Sequence, residues 1–327
     1  MNNYLDELKR IFQETPHKHE AHERSRQVLA DMSGDASLLS VILEKHLSSP
    51  DALNRKHYPV ISLELETTPD FELVANCWIP LPDRQTNIST KAIHHHGALL
   101  LTTANAFGSG YEHWIFSSAT EVDPARELFS MKVIDRQPHL LHNVSFVDAH
   151  TPHLPMYPPA CTITLALWSS KHPTTWKDKL KRVPLLKRNS AALRTLAART
   201  GLTRQLDLKV VNYFDYYPTG DGFRGMKDRT EFPRGPNEDY LYSLFHVLQQ
   251  TGNERLASTV RQQLDASAAV LNKPLIEELI SKLERGVAIE GRLSAGHYGV
   301  PHANFTRQDI ERAIAAQQVR ENPPQHN

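Results

Sequence analysis

The chain has 327 residues, enough for one large domain or two modest ones, and its 40% apolar and 23% charged residues are those of a soluble globular protein. Its formal net charge is zero, so no global field draws it to nucleic acid or to an acidic membrane, and no apolar run approaches the length of a membrane span. With two cysteines, Cys77 and Cys161, both inside apolar runs, the chain is not a disulfide scaffold.

Buried thiols and a start, "MNNYLDELKRIFQ", without a secretory apolar stretch lead us to expect a reducing, cytoplasmic setting. Residues 1–57 read as a helical region. Leu5, Leu8, Ile11 and Phe12 share one helical face, "HERSRQVLADMSG" closes at a glycine, and "ASLLSVILEKHL" carries leucines at helical spacing. Within it "HKHEAHE" places His19 and His22 three apart without apolar shelter, which predicts a solvated helix start.

Near Tyr58 the pattern becomes alternating and β-branched. "YPVISLELETTPDFELVANCWIPLP" predicts two strands around a "TTPD" turn, and "GSG" at 108–110 predicts a hairpin turn. Further short strands follow in "ELFSMKVID", "HNVSFVDA" and "ACTITLALWSS", so residues 58–170 read as a β-barrel or sandwich.

Residues 171–320 read as a C-terminal helical region holding a long loop at 212–237, with a disordered tail at 321–327. "KDKLKRVPLLKR", at 177–188, is basic but lacks interleaved aromatics, so a solvated face or a rim for an anionic substrate is expected rather than a nucleic-acid patch. Asn237 and Asn272 are candidate N-caps, and Thr306 with Asp309 forms a capping-box pattern.

Eighteen histidines are the compositional oddity, and three of them stand together in "AIHHHG", residues 92–97. On a strand, His94 and His96 project to one face and His95 to the other. A metal shared by His94 and His96 needs a further ligand, and the chain offers His139, His142, His150 and His153. In "GYEHWIF", either Glu112 or His113 is expected to face the barrel interior.

The order "IHHHG", "ALLLTTANAF", "GSG", "YEHWIF", then "HNVSFVDAHTPHLPMYPPACTITLALWS" resembles the cupins, and most of all their cysteine-dioxygenase-like members. The resemblance spans roughly residues 58–170. It implies a mainly β core, a cupin-type barrel (double-stranded β-helix or jelly roll) flanked by N- and C-terminal α-helices. It implies a metal held by His94, His96 and His153, with His150 as the alternative third ligand because His142-Asn143 replaces the glycine-aspartate of the second motif. The glutamate of the general cupin motif falls here on Leu100 or Leu101, which favours a three-histidine site. No arginine just upstream matches the one that grips a thiol substrate; the nearest is Arg84.

The implied activity is that of a mononuclear non-heme Fe(II) oxygenase or dioxygenase acting with O2 on a small anionic metabolite or modified amino acid. Zinc, nickel or manganese would suit a redox-neutral isomerase, lyase or hydrolase, and a non-catalytic metal- or ligand-binding cupin is the third reading. Glu112 and Tyr157 are the expected catalytic residues near the metal. Arg224 and Arg229 of the long loop are the expected substrate grips. The C-terminal helices are expected to cover the barrel mouth or to form a homodimer contact.

Overall fold

Leu5, Leu8, Ile11 and Phe12 all bury on one face of helix α1 (Asn2–Glu14), as their spacing predicts. Helices α2 (Lys18–Gly34) and α3 (Leu38–Leu47) follow. The computed structural model describes residues 1–56, 60–172, 214–226, 235–266, 269–292 and 305–321. The basic run at 177–188, Arg229 and residues 322–327 lie outside them.

Two antiparallel sheets form the core. The first, in the order β1-β2-β11-β4-β9, is built from β1 (Val60–Thr67), β2 (Glu72–Trp78), β11 (Thr162–Ser170), β4 (Leu99–Phe107) and β9 (Val144–Val147). The second runs β6-β7-β13-β12-β3-β10-β5-β8. Its strands are β6 (Thr120–Asp123), β7 (Leu128–Ser130), β13 (Gly222–Met226), β12 (Phe214–Thr219), β3 (Ile93–His95), β10 (His153–Pro155), β5 (Glu112–Phe116) and β8 (Val133–Pro138).

Side-chain alternation sorts residues into layers. Leu73, Ala75, Cys77, Ile163 and Leu165 face outward from the first sheet into a core shared with α1–α3 and with α4 (Asn237–Gln250), α5 (Ala257–Ala266) and α6 (Lys273–Glu284). Ile93, Trp114, Leu154 and Tyr216 face outward from the second sheet and pack against Ile310 and Ala313 of α7 (Arg307–Glu321). Between the sheets, Val74, Leu101, Val147 and Ala166 meet Ile115 and Trp168. This is the mainly β barrel with flanking helices that the sequence led us to expect.

Four expectations are corrected. The "GSG" segment does not close a hairpin, because β4 and β5 belong to different sheets. The chain crosses between sheets there, and a Cβ at Gly108 or Gly110 would stand 2.0 Å from the carbonyl oxygen of Cys161 or His139. Both glycines also hold positive φ, so the crossing requires them. Next, the long loop at 212–237 contains the β12–β13 hairpin, which joins the second sheet beside β3. Tyr216, Tyr217 and Phe223 are buried there, and burying them outweighs the loop signal of the intervening "TGDG". The capping box at Thr306 and Asp309 forms as expected, but Asn237 does not cap α4. Its amide donates instead to the carbonyls of Leu53 and Arg55, tying the helix to the N-terminal region.

His22 is the fourth. It is fully buried where α2 crosses the first sheet, with Nδ1 2.7 Å from Thr102 Oγ1 and Nε2 2.9 Å from Ser169 Oγ. Burial pushes its pKa from 6.5 down to about 3, so the folded protein keeps the ring neutral. The unfolded chain takes up a proton below about pH 6.5 and the folded chain does not. The stabilisation is therefore full above that pH and is lost as pH falls toward 3. Urea unfolding should show His22→Leu losing about 1–3 kcal/mol at pH 7.5. The variant should also lack this group's share, about 1.4 kcal/mol per pH unit, of the wild-type loss between pH 6 and 4. An unchanged acid profile would contradict the assignment.

Candidate metal centre

Strand β3 is short and lies between two partners. His94 pairs directly with His153 of β10 on one side and with Asp215 of β12 on the other. Residues directly opposite in an antiparallel ladder share a face. His153 in turn opposes Ile115 of β5, which opposes Asp135 of β8. One row across the inner face therefore reads Asp215, His94, His153, Ile115, Asp135. His96, just past the end of β3, folds onto the same face.

The three imidazoles converge. Ring centroids lie 4.4 Å apart for His94 and His153, 4.6 Å for His94 and His96, and 4.9 Å for His96 and His153. One nitrogen of each lies within 4.8 Å of those of the other two. His94 Nδ1 is 3.0 Å from the Ala92 carbonyl oxygen, and His153 Nδ1 is 3.1 Å from that of Thr151. Each Nδ1–H donates to its carbonyl, which leaves the lone pair on Nε2. His94 Nε2 is buried and has no hydrogen-bond partner among the described residues. A buried acceptor with nothing to accept is costly in a closed core, and a metal cation satisfies it. These residues fit a metal.

Electrostatics agree. Burial first, and then the nearby Lys91 charge, push His94 far below its usual pKa, and the same causes push His153 down to about 3. Both rings are neutral near pH 7, the form that binds metal. Trp168 packs edge-on against His96 at 4.5 Å and walls that side.

The other expected residues are placed as follows. His95 faces the opposite way, its ring 5.6 Å from His150 and 6.2 Å from Tyr216. His150 is exposed, holds a φ of +59° and donates its backbone N–H to Gly97, so it belongs to a turn on the His95 side. The structure therefore brings His153, not His150, to His94 and His96. Glu112 is not brought to the cluster. It shares the outer face of β5 with Trp114, and its carboxylate takes hydrogen bonds from Arg136 at 2.7 Å, Arg307 at 2.6 Å and Trp114 Nε1 at 2.5 Å. Tyr157 is buried just past β10, where its backbone N–H donates to Ile88. Arg224 lies on β13, largely exposed, 3.9 Å from Glu127 and three strands away from β10.

Alternation gives the inner position on β5 to His113, whose ring is 5.6 Å from His153 and is buried. Burial holds it well below its ordinary pKa, as it holds His139 down to about 4. The sequence pattern could name Glu112 and His113 as alternates but not choose between them. Asp215, 1% exposed and opposite His94, had no signal, because its strand lies in a stretch that reads as loop.

No protein-family model matches the chain, and no curated protein matches it. Solved structures similar to it include cupin and double-stranded β-helix proteins. One is an uncharacterized conserved protein with a double-stranded β-helix domain from Klebsiella pneumoniae, 13% identical over 37% of this chain and 89% of that one, with a TM-score of 0.23. Another is a cupin-superfamily sugar phosphate isomerase from Silicibacter pomeroyi, 11% identical over 34% of this chain and 59% of that one, TM-score 0.23. A third is the DMSP lyase DddQ from Ruegeria pomeroyi, 12% identical over 34% of this chain and 47% of that one, TM-score 0.22.

Metal analysis of protein purified without an affinity tag should find about one divalent ion per chain. His94→Ala or His153→Ala should abolish it, while His95→Ala and His150→Ala keep it. Because the buried rings resist protonation, zinc should remain bound down to about pH 5. Loss of metal from His150→Ala, or release near pH 6.5, would overturn the assignment.

Proposed function

We propose that the protein is a mononuclear metalloenzyme in which His94, His96 and His153 hold Fe(II), and that it oxygenates a small anionic metabolite or modified amino acid with O2. The observation that carries this reading is the donor set: among the described residues the cluster is three imidazoles without a carboxylate. Neutral ligands leave the ion its full +2 charge, which favours an anionic substrate as an added ligand. Held by His94, His96 and His153 alone, a bound iron would keep positions for substrate and dioxygen. When bound, the iron supplies the redox centre.

The residues of the chain hold that centre and keep it dry. The Ala92 and Thr151 carbonyls fix the tautomers of His94 and His153. Trp168, Leu101 and Val147 exclude water from the first-sheet side. The donor set is that of the cysteine-dioxygenase-like cupins, which supports the subtype, while a thiol substrate has no supporting residue. A redox-neutral reaction on zinc, nickel or manganese is the second reading. Asp215 and His113, two proton-carrying groups on the inner face, favour it. Among the described residues no helix is long and apolar enough to cross a membrane.

Iron-loaded protein should consume O2 in the presence of small carboxylate-bearing metabolites, and His96→Ala should consume none. Turnover of a substrate by zinc-loaded protein without O2 would replace the oxygenase with the redox-neutral reading. Metal binding without turnover of any substrate in either form would leave a binding protein.

A further inference from the structure

A cavity of about 330 Å³ opens at the seam between β9, the edge of the first sheet, and β8, the edge of the second. His113 and Ile115 line it, and these are the inner-face neighbours of His153, so the cavity abuts the histidine cluster. Its size is at the low end for small-molecule pockets, suited to a ligand of amino-acid dimensions.

Its charges are of both signs and stand on different walls. Arg26 reaches in from α2 beside β9. Among the described residues its guanidinium holds only long contacts, 3.4 Å to the Val144 carbonyl and 3.7 Å to the largely exposed Glu23 carboxylate. Such contacts are worth little and give way to a better anion. Asp135 projects from β8, and among the described residues no hydrogen bond or ion pair engages its carboxylate. His139, 3% exposed, also lines the cavity, and its Nε2 is buried without a hydrogen-bond partner among the described residues. Gln137 and Ser145 add further polar groups. An apolar ligand would strand these groups. A simple anion would face Asp135, and a simple cation would face Arg26.

We propose that this cavity binds a small zwitterion, its carboxylate on Arg26 and its ammonium group on Asp135, with His139 and His113 completing the polar contacts. Naming this ligand as the substrate rests on the metalloenzyme reading above; the binding itself does not require the metal. The N-terminal helical region then has a recognition role, because α2 supplies the anion grip. His113 stands between the cavity and His153, so its ring spaces a bound ligand from the histidine cluster.

Isothermal titration on the full chain, metal-free and zinc-loaded, would test this with a graded series of amino acids from glycine to 6-aminohexanoate. Each binder would be compared with the matched carboxylic acid and the matched amine. At least one amino acid should bind ten-fold or more tightly than both of its monofunctional counterparts. Arg26→Gln and Asp135→Asn should each remove that advantage, and Arg26→Lys should restore part of it. Both positions lie at the rim, so circular dichroism and metal content should match the parent protein. Equal binding of the matched acid or of the matched amine, or no binding across the series, would overturn the proposal. Retained metal with no amino-acid binding would sink the cavity assignment alone. Arg26-dependent binding that persists in a metal-free His94→Ala/His96→Ala protein would support the cavity assignment independently of the metal reading.

Discussion

The pairing of His94 with His153 across β3 and β10 is the constraint on which the site depends. Side chains alternate along a strand, so a slip of one residue would turn each histidine to the outer face and bring Ile93 and Leu154 inward. Those two residues prevent the slip. Both are fully buried in the outer-face core with Trp114, Phe116 and Tyr216, under α7. The apolar packing of one face thus sets the histidine geometry of the other. Neither strand is long enough to hold register by its own hydrogen bonds; β3 and β10 each span three residues, and their neighbours β12 and β5 hold them in place.

Register fixes geometry, and burial fixes charge. Packed between two sheets, the His94 and His153 imidazoles lose water and hold their neutral form, and the carbonyls of Ala92 and Thr151 choose which nitrogen keeps its lone pair. A site assembled this way is preorganised for a cation. The inner row continues on both sides of the cluster, with Asp215 beyond His94 and Asp135 beyond Ile115. Acidic groups therefore flank an all-imidazole centre without joining it, which leaves the charge of a bound ion uncompensated by its ligands and available to an incoming anion.

Much of this was legible in the sequence, and the reasons are local. Helical periodicity placed Leu5, Leu8, Ile11 and Phe12 correctly, the Thr306–Asp309 box marked the start of α7, and strand alternation separated His95 from His94 and His96. What could not be read depends on distant packing. His22 looked solvated because its shelter comes from Thr102 and Ser169 on strands far along the chain. The choice between His153 and His150 turned on strand pairing and a left-handed backbone, neither of which a run of histidines reveals. Glu112 was plausible as an inner residue until Arg136 and Arg307 were seen to hold it on the outer face. The β12–β13 hairpin was hidden by its glycines, although its aromatic residues carried the strand signal.

The central claim is that the imidazoles of His94 on β3, His96 just past its end and His153 on β10 form one metal centre. X-ray absorption at the metal edge of iron- or zinc-loaded protein tests it directly. The structure predicts imidazole scattering from three nitrogen donors, at about 2.0–2.1 Å for zinc, unchanged in His150→Ala and reduced in His153→Ala. A shell dominated by carboxylate or sulfur donors, or one that loses an imidazole in His150→Ala but not in His153→Ala, would contradict it.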